Sequence, residues 1–327
     1  MEFRTKVPVE EGFPKIDHKK GVFLMGSCFV ENIGSKMDWF RFHTLKNPTG
    51  IIFHPSPIRK FFQRLSNNEP YTEKDVIEFN GAWQSLEAHS FMRRSSKEDC
   101  LEALNKALDE SRKFLSNASH VIISLGTAWG YVYEGKPDIV ANCHKIPQKM
   151  FDKELSSTDE IVNDLEVISH SITRLSDKAK LVLTISPVRH LKDGVVENQR
   201  SKAHLITAVH RFLESSENAV YFPSYEILMD ELRDYRFYSE DMLHPSKAAI
   251  DYIWKLFSYN YLNGETRDLN KEIDRIQKAL SHRPQEENSS DYKKFLTRIK
   301  AKIEEINKKY PEITFSQALC LLGIAFF

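Results

Sequence analysis

Four times along this chain a short apolar run stops abruptly at glycine or proline, and the stretches between carry apolar residues at helical spacing. The runs are 21–25 (GVFLM) before Gly26-Ser27, 120–125 before Gly126, 181–185 before Ser186-Pro187, and 220–222 before Pro223. Runs this short and this apolar are buried on both sides, and parallel strands need a helical crossover between them. A fifth candidate strand, 41–45, ends at Asn47-Pro48-Thr49-Gly50. Helices are expected over 29–37, 58–65, 101–115, 159–175, 201–213 and 246–257, with a possible hairpin at 131–137. The fold class that follows is α/β: a doubly wound parallel sheet of about five strands with helices on both faces.

At 327 residues the chain exceeds one ordinary domain. The composition changes from residue 263 onward to charged residues with few strand formers. We therefore expect a main domain over 1–262 and a helical C-terminal extension over 263–327, with helices near 267–278 and 292–309 and a linker at 281–290. The apolar run 318–327 is too short to span a bilayer and is expected to be a docked helix end.

Lysine plus arginine and aspartate plus glutamate each number 46, so no net field draws the molecule to nucleic acid or an anionic membrane. Neither partner is expected. Cys28, Cys100, Cys143 and Cys320 form no CxxC pair, which speaks against a zinc knuckle or a disulfide framework. The first residues lack the apolar core of a secretory signal. A cytoplasmic location is expected, with no metal and no cofactor.

In such sheets ligands gather at the carboxyl ends of the strands. The segments following the strands, Gly26-Ser27-Cys28, Asn47 to Gly50, Gly126-Thr127-Ala128-Trp129 and Ser186 to His190, should converge there. Ser27 would open a helix, where unpaired N–H groups favour a developing anion. It is either a nucleophile or an N-cap, and Cys28 is its rival as nucleophile. Asp241 and His244 stand three apart in a turn before Pro245, a spacing that lets the carboxylate orient the imidazole as a base. Asn142-Cys143-His144 is a third polar cluster, read as a turn, a substrate contact or, less favourably, a metal ligand pair. Arg189 and His190, followed by Asn198 and Arg200, suit an anionic substrate group or surface ion pairs.

With these residues in view, the chain resembles the GSCFA family, a branch of the SGNH (GDSL-like) hydrolases. The resemblance rests on GSCFVENIG (26–34), NPTGI (47–51), SLGTAWGY (124–131), ANCHKIP (141–147), SPVRHLKDG (186–194), ENQRSKA (197–203), the stretch 221–238 and DMLHPS (241–246). It implies a flavodoxin-like sheet, Ser27 as nucleophile, Asp241 and His244 as its partners, and oxyanion donors at the Ser27 and Gly50 backbone N–H groups. The superfamily's asparagine donor is missing, since Ala128 occupies its place. Asn142 and Thr127 are the candidate substitutes, and His144, Arg189 and His190 the candidate substrate contacts. The implied activity is a serine-dependent hydrolase or acyl transferase on an ester, with an acylated carbohydrate or glycoconjugate as the substrate class. The alternative is a binding or accessory protein that keeps the crevice without turnover.

Overall fold

The computed structural model describes residues 4–281 and 290–315. The apolar run 318–327 and nearly all of the linker 281–290 lie outside the described residues.

The elements in chain order are β1 (Gly21–Gly26), α1 (Cys28–Trp39), β2 (Thr44–Lys46), α2 (Pro55–Asn67), β3 (Ile77–Phe79), β4 (Ala82–Gln84), α3 (Lys97–Leu115), β5 (Ala118–Leu125), β6 (Trp129–Tyr133) and β7 (Phe151–Leu155). There follow α4 (Thr158–Leu175), β8 (Lys180–Ile185), α5 (Val195–Glu214), β9 (Ala219–Tyr221), the short α6 (Ser224–Glu226), α7 (Lys247–Tyr261), α8 (Gly264–Ser281) and α9 (Ser290–Lys309).

Five strands form one parallel sheet in the order β2-β1-β5-β8-β9, which is the flavodoxin-like order. Alternate strand residues serve opposite faces. Phe23, Met25, Val121, Ile123, Leu181 and Leu183 meet the helices α2 to α5, whose inward residues include Phe61, Leu104, Leu165 and Leu205. Val22, Leu24, Ile122 and Val182 meet α1 and α7 through Phe29, Ile33, Ile253 and Phe257. This double burial is why the strands read as unbroken apolar runs.

Three expectations change in detail. β2 begins at Thr44, because Arg41 and Phe42 close α1: their N–H groups return to Asp38 O and Met37 O at 3.0 Å, with Arg41 at φ +63°. α5 starts at Val195 rather than near 201, since its first turn keeps Val195 and Val196 exposed and shows no apolar stripe. The hairpin at 131–137 shrinks to one turn and one bridge, while β6 takes its ladder from distant β7, where Phe151 packs on Tyr131 and Tyr133. A true hairpin, β3–β4, turns at Asn80-Gly81 with both residues at positive φ, a signal that apolar periodicity alone passes over.

α8 and α9 share a small core of Leu269, Ile273, Ile276, Ile299, Ile303 and Ile306. They attach to the end of α1 through Trp39 Nε1, which donates to Asp274 at 3.0 Å, and Gln277 Nε2, which donates to Trp39 O at 3.0 Å. We retain the division at residue 262 as a proposal, since Leu262 belongs to the main core and Leu269 to the helical pair.

The tightest point of the sheet is the end of β1. Gly26 holds φ +142°, and a methyl group there would come within 2.3 Å of Ser124 O. Gly26→Ala should therefore cost roughly 3 kcal/mol or more of stability, from strain and backbone displacement together. Urea denaturation of the two proteins measures it; a change below about 1 kcal/mol would show that the β1–β5 contact is not rigid.

Candidate active site

β1 delivers Ser27 to the switch point of the sheet, where the chain crosses from one face to the other. The side chain is buried, at 2% exposure, and its Oγ does two things. It caps α1 by accepting from Phe29 N–H at 3.2 Å, and it shares a hydrogen bond with Ser124 Oγ at 3.0 Å. Ser124, the penultimate residue of β5, is thus a site residue that sequence reasoning read only as strand. Of the two expectations for Ser27, the structure shows the N-cap. Cys28, half-buried beside it, has its thiol pushed up by burial, which disfavours the thiolate a nucleophile needs.

Asn47 secures the turn from the other side. Its Oδ1 accepts from Gly26 N–H at 2.9 Å, its amide donates to Glu31, and its carbonyl accepts from Gly50 N–H at 2.7 Å. Gly50 is needed at φ +82°, where a Cβ would meet His89 Cβ at 2.4 Å. Its N–H is bonded within the turn, where the sequence suggests an oxyanion donor. The Ser27 N–H likewise donates to Ser124 O at 3.2 Å. Cys28 N–H, the first of α1, bonds no other residue among those described, its one contact being with its own thiol.

Asp241 and His244 form the expected pair on the turn before α7. His244 Nδ1 lies 2.6 Å from Asp241 Oδ2, while Asp241 Oδ1 accepts from His244 N–H at 3.0 Å and Leu243 N–H at 2.9 Å. Those backbone donors, with the imidazole, hold the Asp241 carboxyl down to about 2. The Leu243 carbonyl accepts from Arg189 N–H at 3.1 Å, which fastens the turn to the segment after β8. No hydrogen bond joins His244 to Ser27, in contrast to the expected contact. The His244 side chain is 41% exposed on its turn, and the serine hydroxyl is satisfied by Ser124 and Phe29.

The remaining candidates sort by what already holds them. Thr127 Oγ1 shares a hydrogen bond with Ser201 Oγ at 2.9 Å and accepts from Trp129 N–H at 3.0 Å, contacts that tie it into the loop after β5. Ala128 is fully buried, its N–H donating to Ser201 Oγ at 2.7 Å. Asn142 Oδ1 accepts from His144 N–H at 2.7 Å, leaving its amide N–H groups without a protein acceptor among the described residues. His144 Nε2 is bound to Ser85 O at 2.7 Å and so ties its loop to that segment, while its buried Nδ1 has no partner. Asn198 accepts from His190 N–H at 2.9 Å, and Arg200 pairs with Glu197, which makes both structural. His190 stacks on Phe53 with ring centroids 4.9 Å apart, and its buried Nε2 lacks a hydrogen-bond partner. Burial, then the Lys202 and His244 charges, push its pKa down to about 4 and keep the ring neutral. Among the described residues no group of three or more His, Cys, Asp or Glu could hold a metal, and no helix is long and apolar enough to cross a membrane.

Lys202 escaped sequence reasoning. Its Nζ, fully buried, donates to Gly126 O and Ser186 O, both at 2.7 Å, and so clamps the loops after β5 and β8 together. The signal was there: Asn198, Ser201, Lys202, Leu205, Ala208 and Val209 lie at helical spacing on one buried stripe of α5.

This architecture is a flavodoxin-like parallel sheet with a cluster of hydrogen-bonded polar residues at its switch point, and the sequence matches the GSCFA family over residues 21–257. The chain belongs to that family. Residues 273–321 also match the C-terminal domain of GSCFA domain proteins. No curated protein matches its sequence. Solved structures similar to it include a carbohydrate esterase family 3 protein from Talaromyces cellulolyticus, at 8% identity and a TM-score of 0.34, covering 77% of this chain and 99% of that one. A Clostridium thermocellum family 3 carbohydrate esterase gives 11% and 0.30, with coverage of 78% and 98%. An acetyl esterase mutant with acetate ion gives 11% and 0.32, with coverage of 78% and 99%. Similarity this distant carries no argument about substrate or mechanism.

Burial pulls the Lys202 pKa down to about 7, against roughly 10.4 for a lysine in an unfolded chain. Between those values the unfolded state holds the extra proton, so the stability contributed at this site rises with pH; below about 7 the full cost of burying the ammonium persists. Denaturant titrations of wild type and Lys202→Met from pH 6 to 10 should differ in slope by up to about 1.4 kcal/mol per pH unit, with wild type the steeper. Parallel curves would mean that Lys202 titrates normally.

Proposed function

We propose that the protein is a serine-dependent acyl hydrolase or acyl transferase whose nucleophile is Ser27 and whose base is His244. The observation that carries the reading is Ser27 itself, a buried serine at the switch point and the mouth of α1, on the same sheet edge as a carboxylate-oriented imidazole. In the reaction His244 Nε2 takes the Ser27 proton as Oγ bonds to the ester carbonyl carbon. His244 then returns that proton to the leaving alcohol as the ester C–O bond breaks. Water, or a second hydroxyl, attacks the acyl-enzyme by the same route and regenerates Ser27. The Asp241 carboxylate stabilises the imidazolium formed in each half.

For Ser27 to reach its base, the hydroxyl must leave Ser124 and the exposed His244 turn must close on it. Substrate filling the crevice supplies the occasion, since catalytic hydrogen bonds often tighten only in the complex. Cys28 N–H and the Asn142 amide are the oxyanion donors in this reading, because the Ser27 and Gly50 N–H groups are engaged elsewhere. An acylated carbohydrate is the substrate class we favour. The open Ser27–His244 arrangement favours a second reading, a binding protein without turnover, and labelling separates the two.

A fluorophosphonate probe should label wild type on Ser27 and fail on Ser27→Ala. On a small acetate ester, Ser27→Ala and His244→Ala should each lower kcat by at least about 10³. Retention of wild-type rates in both variants would exclude the assignment. Asn142→Ala should lower kcat by roughly 10² with little change in KM, the pattern of an interaction made mainly in the transition state. A pure KM effect would instead place Asn142 on the bound substrate.

A further inference from the structure

Beside the His244 turn lies a second hollow, of about 440 Å³, between α5, α6 and the segment that leads to His244. That volume is within the range of small-molecule sites. Its wall is tied to the His244 turn at two backbone points: Arg189 donates its N–H to Leu243 O at 3.1 Å, and Tyr238 bridges to Pro245. A π-helical turn over Ile227–Glu231 shapes its far side, a widening of the kind often found at functional sites.

Its lining combines three tyrosines with unpaired polar groups. Tyr225, Tyr235 and Tyr238 offer ring surface, and Tyr235 is 68% exposed with nothing packed over it except the tilted edge of Tyr238, 6.1 Å away between ring centroids. Arg189, Arg233 and Asp230 make no ion pair and no side-chain hydrogen bond among the described residues; the Arg189 guanidinium only stands 5.9 Å over the Tyr238 ring. By contrast Asp234, on the same wall, is already paired with Arg236.

The set selects its ligand. An apolar ligand would bury two guanidinium groups and a carboxylate without partners, which is costly. A planar base would need a slot, but the Tyr235 and Tyr238 rings are inclined by 44° and cannot both stack on one flat face. An anion satisfies the arginines and is repelled by Asp230. Hydroxyl groups, each both donor and acceptor, answer the guanidinium groups and the carboxylate together. A puckered ring with C–H groups on its faces fits the inclined tyrosines.

We infer that this cleft is a saccharide site, holding a neutral sugar unit next to the point of acyl transfer. The sugar would be the carrier of the ester, and in that respect the inference rests on the proposed chemistry of Ser27, although binding itself does not. The site adds a named location and a chemistry to the substrate class: a neutral hexose or pentose unit read by Tyr235, Arg233 and Asp230.

The test uses the full-length Ser27→Ala protein, so that no turnover intervenes. Saturation-transfer NMR and calorimetry are run with neutral oligosaccharides (xylo-, cello-, malto- and chito-oligomers) and with uronic acids. We expect at least one neutral oligosaccharide to bind, with Tyr235→Ala, Arg233→Gln or Asp230→Asn in the same background each raising Kd about tenfold or more. Tyr235→Phe should keep the affinity, because the ring face and not the hydroxyl makes the contact. Absence of binding by every neutral sugar, binding of uronic acids alone, or binding insensitive to all three substitutions would overturn the inference. A separate ester assay on wild type decides the Ser27 reading: sugar binding without any esterase activity would keep the cleft and remove the chemistry, and activity without sugar binding would do the reverse.

Discussion

Everything at the candidate active site hangs on how closely β1 and β5 approach at their carboxyl ends. Gly26 lies on the Ser124 backbone with no room for a side chain, and from that contact follow the Ser27 N–H bond to Ser124 O and the hydroxyl pair between the two serines. A residue with a Cβ at position 26 would push the strands apart. Ser27 would then neither cap α1 nor sit at the switch point. Glycine is needed here because the turn from strand to helix demands a positive φ and a backbone-to-backbone contact at once.

Around that contact the crevice floor is assembled from buried polar ties. Asn47 binds Gly26 to the turn at Gly50; Ser201 and Lys202 bind the loops after β5 and β8; His54 binds Ala128 O at 3.2 Å. Satisfied buried networks of this sort fix one arrangement of loops that would otherwise have many, at the cost of desolvating each member. They also consume donors. The Gly50 and Ser27 N–H groups and the Thr127 hydroxyl, all candidates for an oxyanion on the sequence, take part in such ties. With Ala128 as a buried methyl, the crevice has fewer side-chain donors than the superfamily pattern implies.

The other wall behaves differently. The His244 turn is exposed and held to the body through Arg189 N–H and the strand-like bridge at Tyr238, and three charged side chains of the neighbouring cleft have no ion-pair partner among the described residues. The Ser27 side is thus tied by several buried hydrogen bonds and the His244 side by few. In the proposed reaction the energy to bring His244 over Ser27 would come from substrate contacts.

The sequence by itself determined the five strands of the main sheet, most of the helices, the parallel arrangement and the Asp241–His244 pair. Each of those depends on local chemistry: apolar runs buried on both faces, N-capping serines, and a carboxylate three residues from an imidazole. It also showed which segments would meet at one edge. Only the tertiary structure decided what each polar group there is bonded to. The partner of Gly50 N–H is close in sequence yet invisible without the turn geometry, and Ser124, Ser201 and Lys202 reach the crevice from strands and helices tens of residues away. Lys202 could have been noticed as a lysine on an apolar stripe, but its two carbonyl acceptors belong to loops whose approach depends on strand order. β7 pairs with β6 across an intervening loop for the same reason. Hydrogen bonds between distant segments are set by the packing of the whole sheet, and no local pattern encodes them.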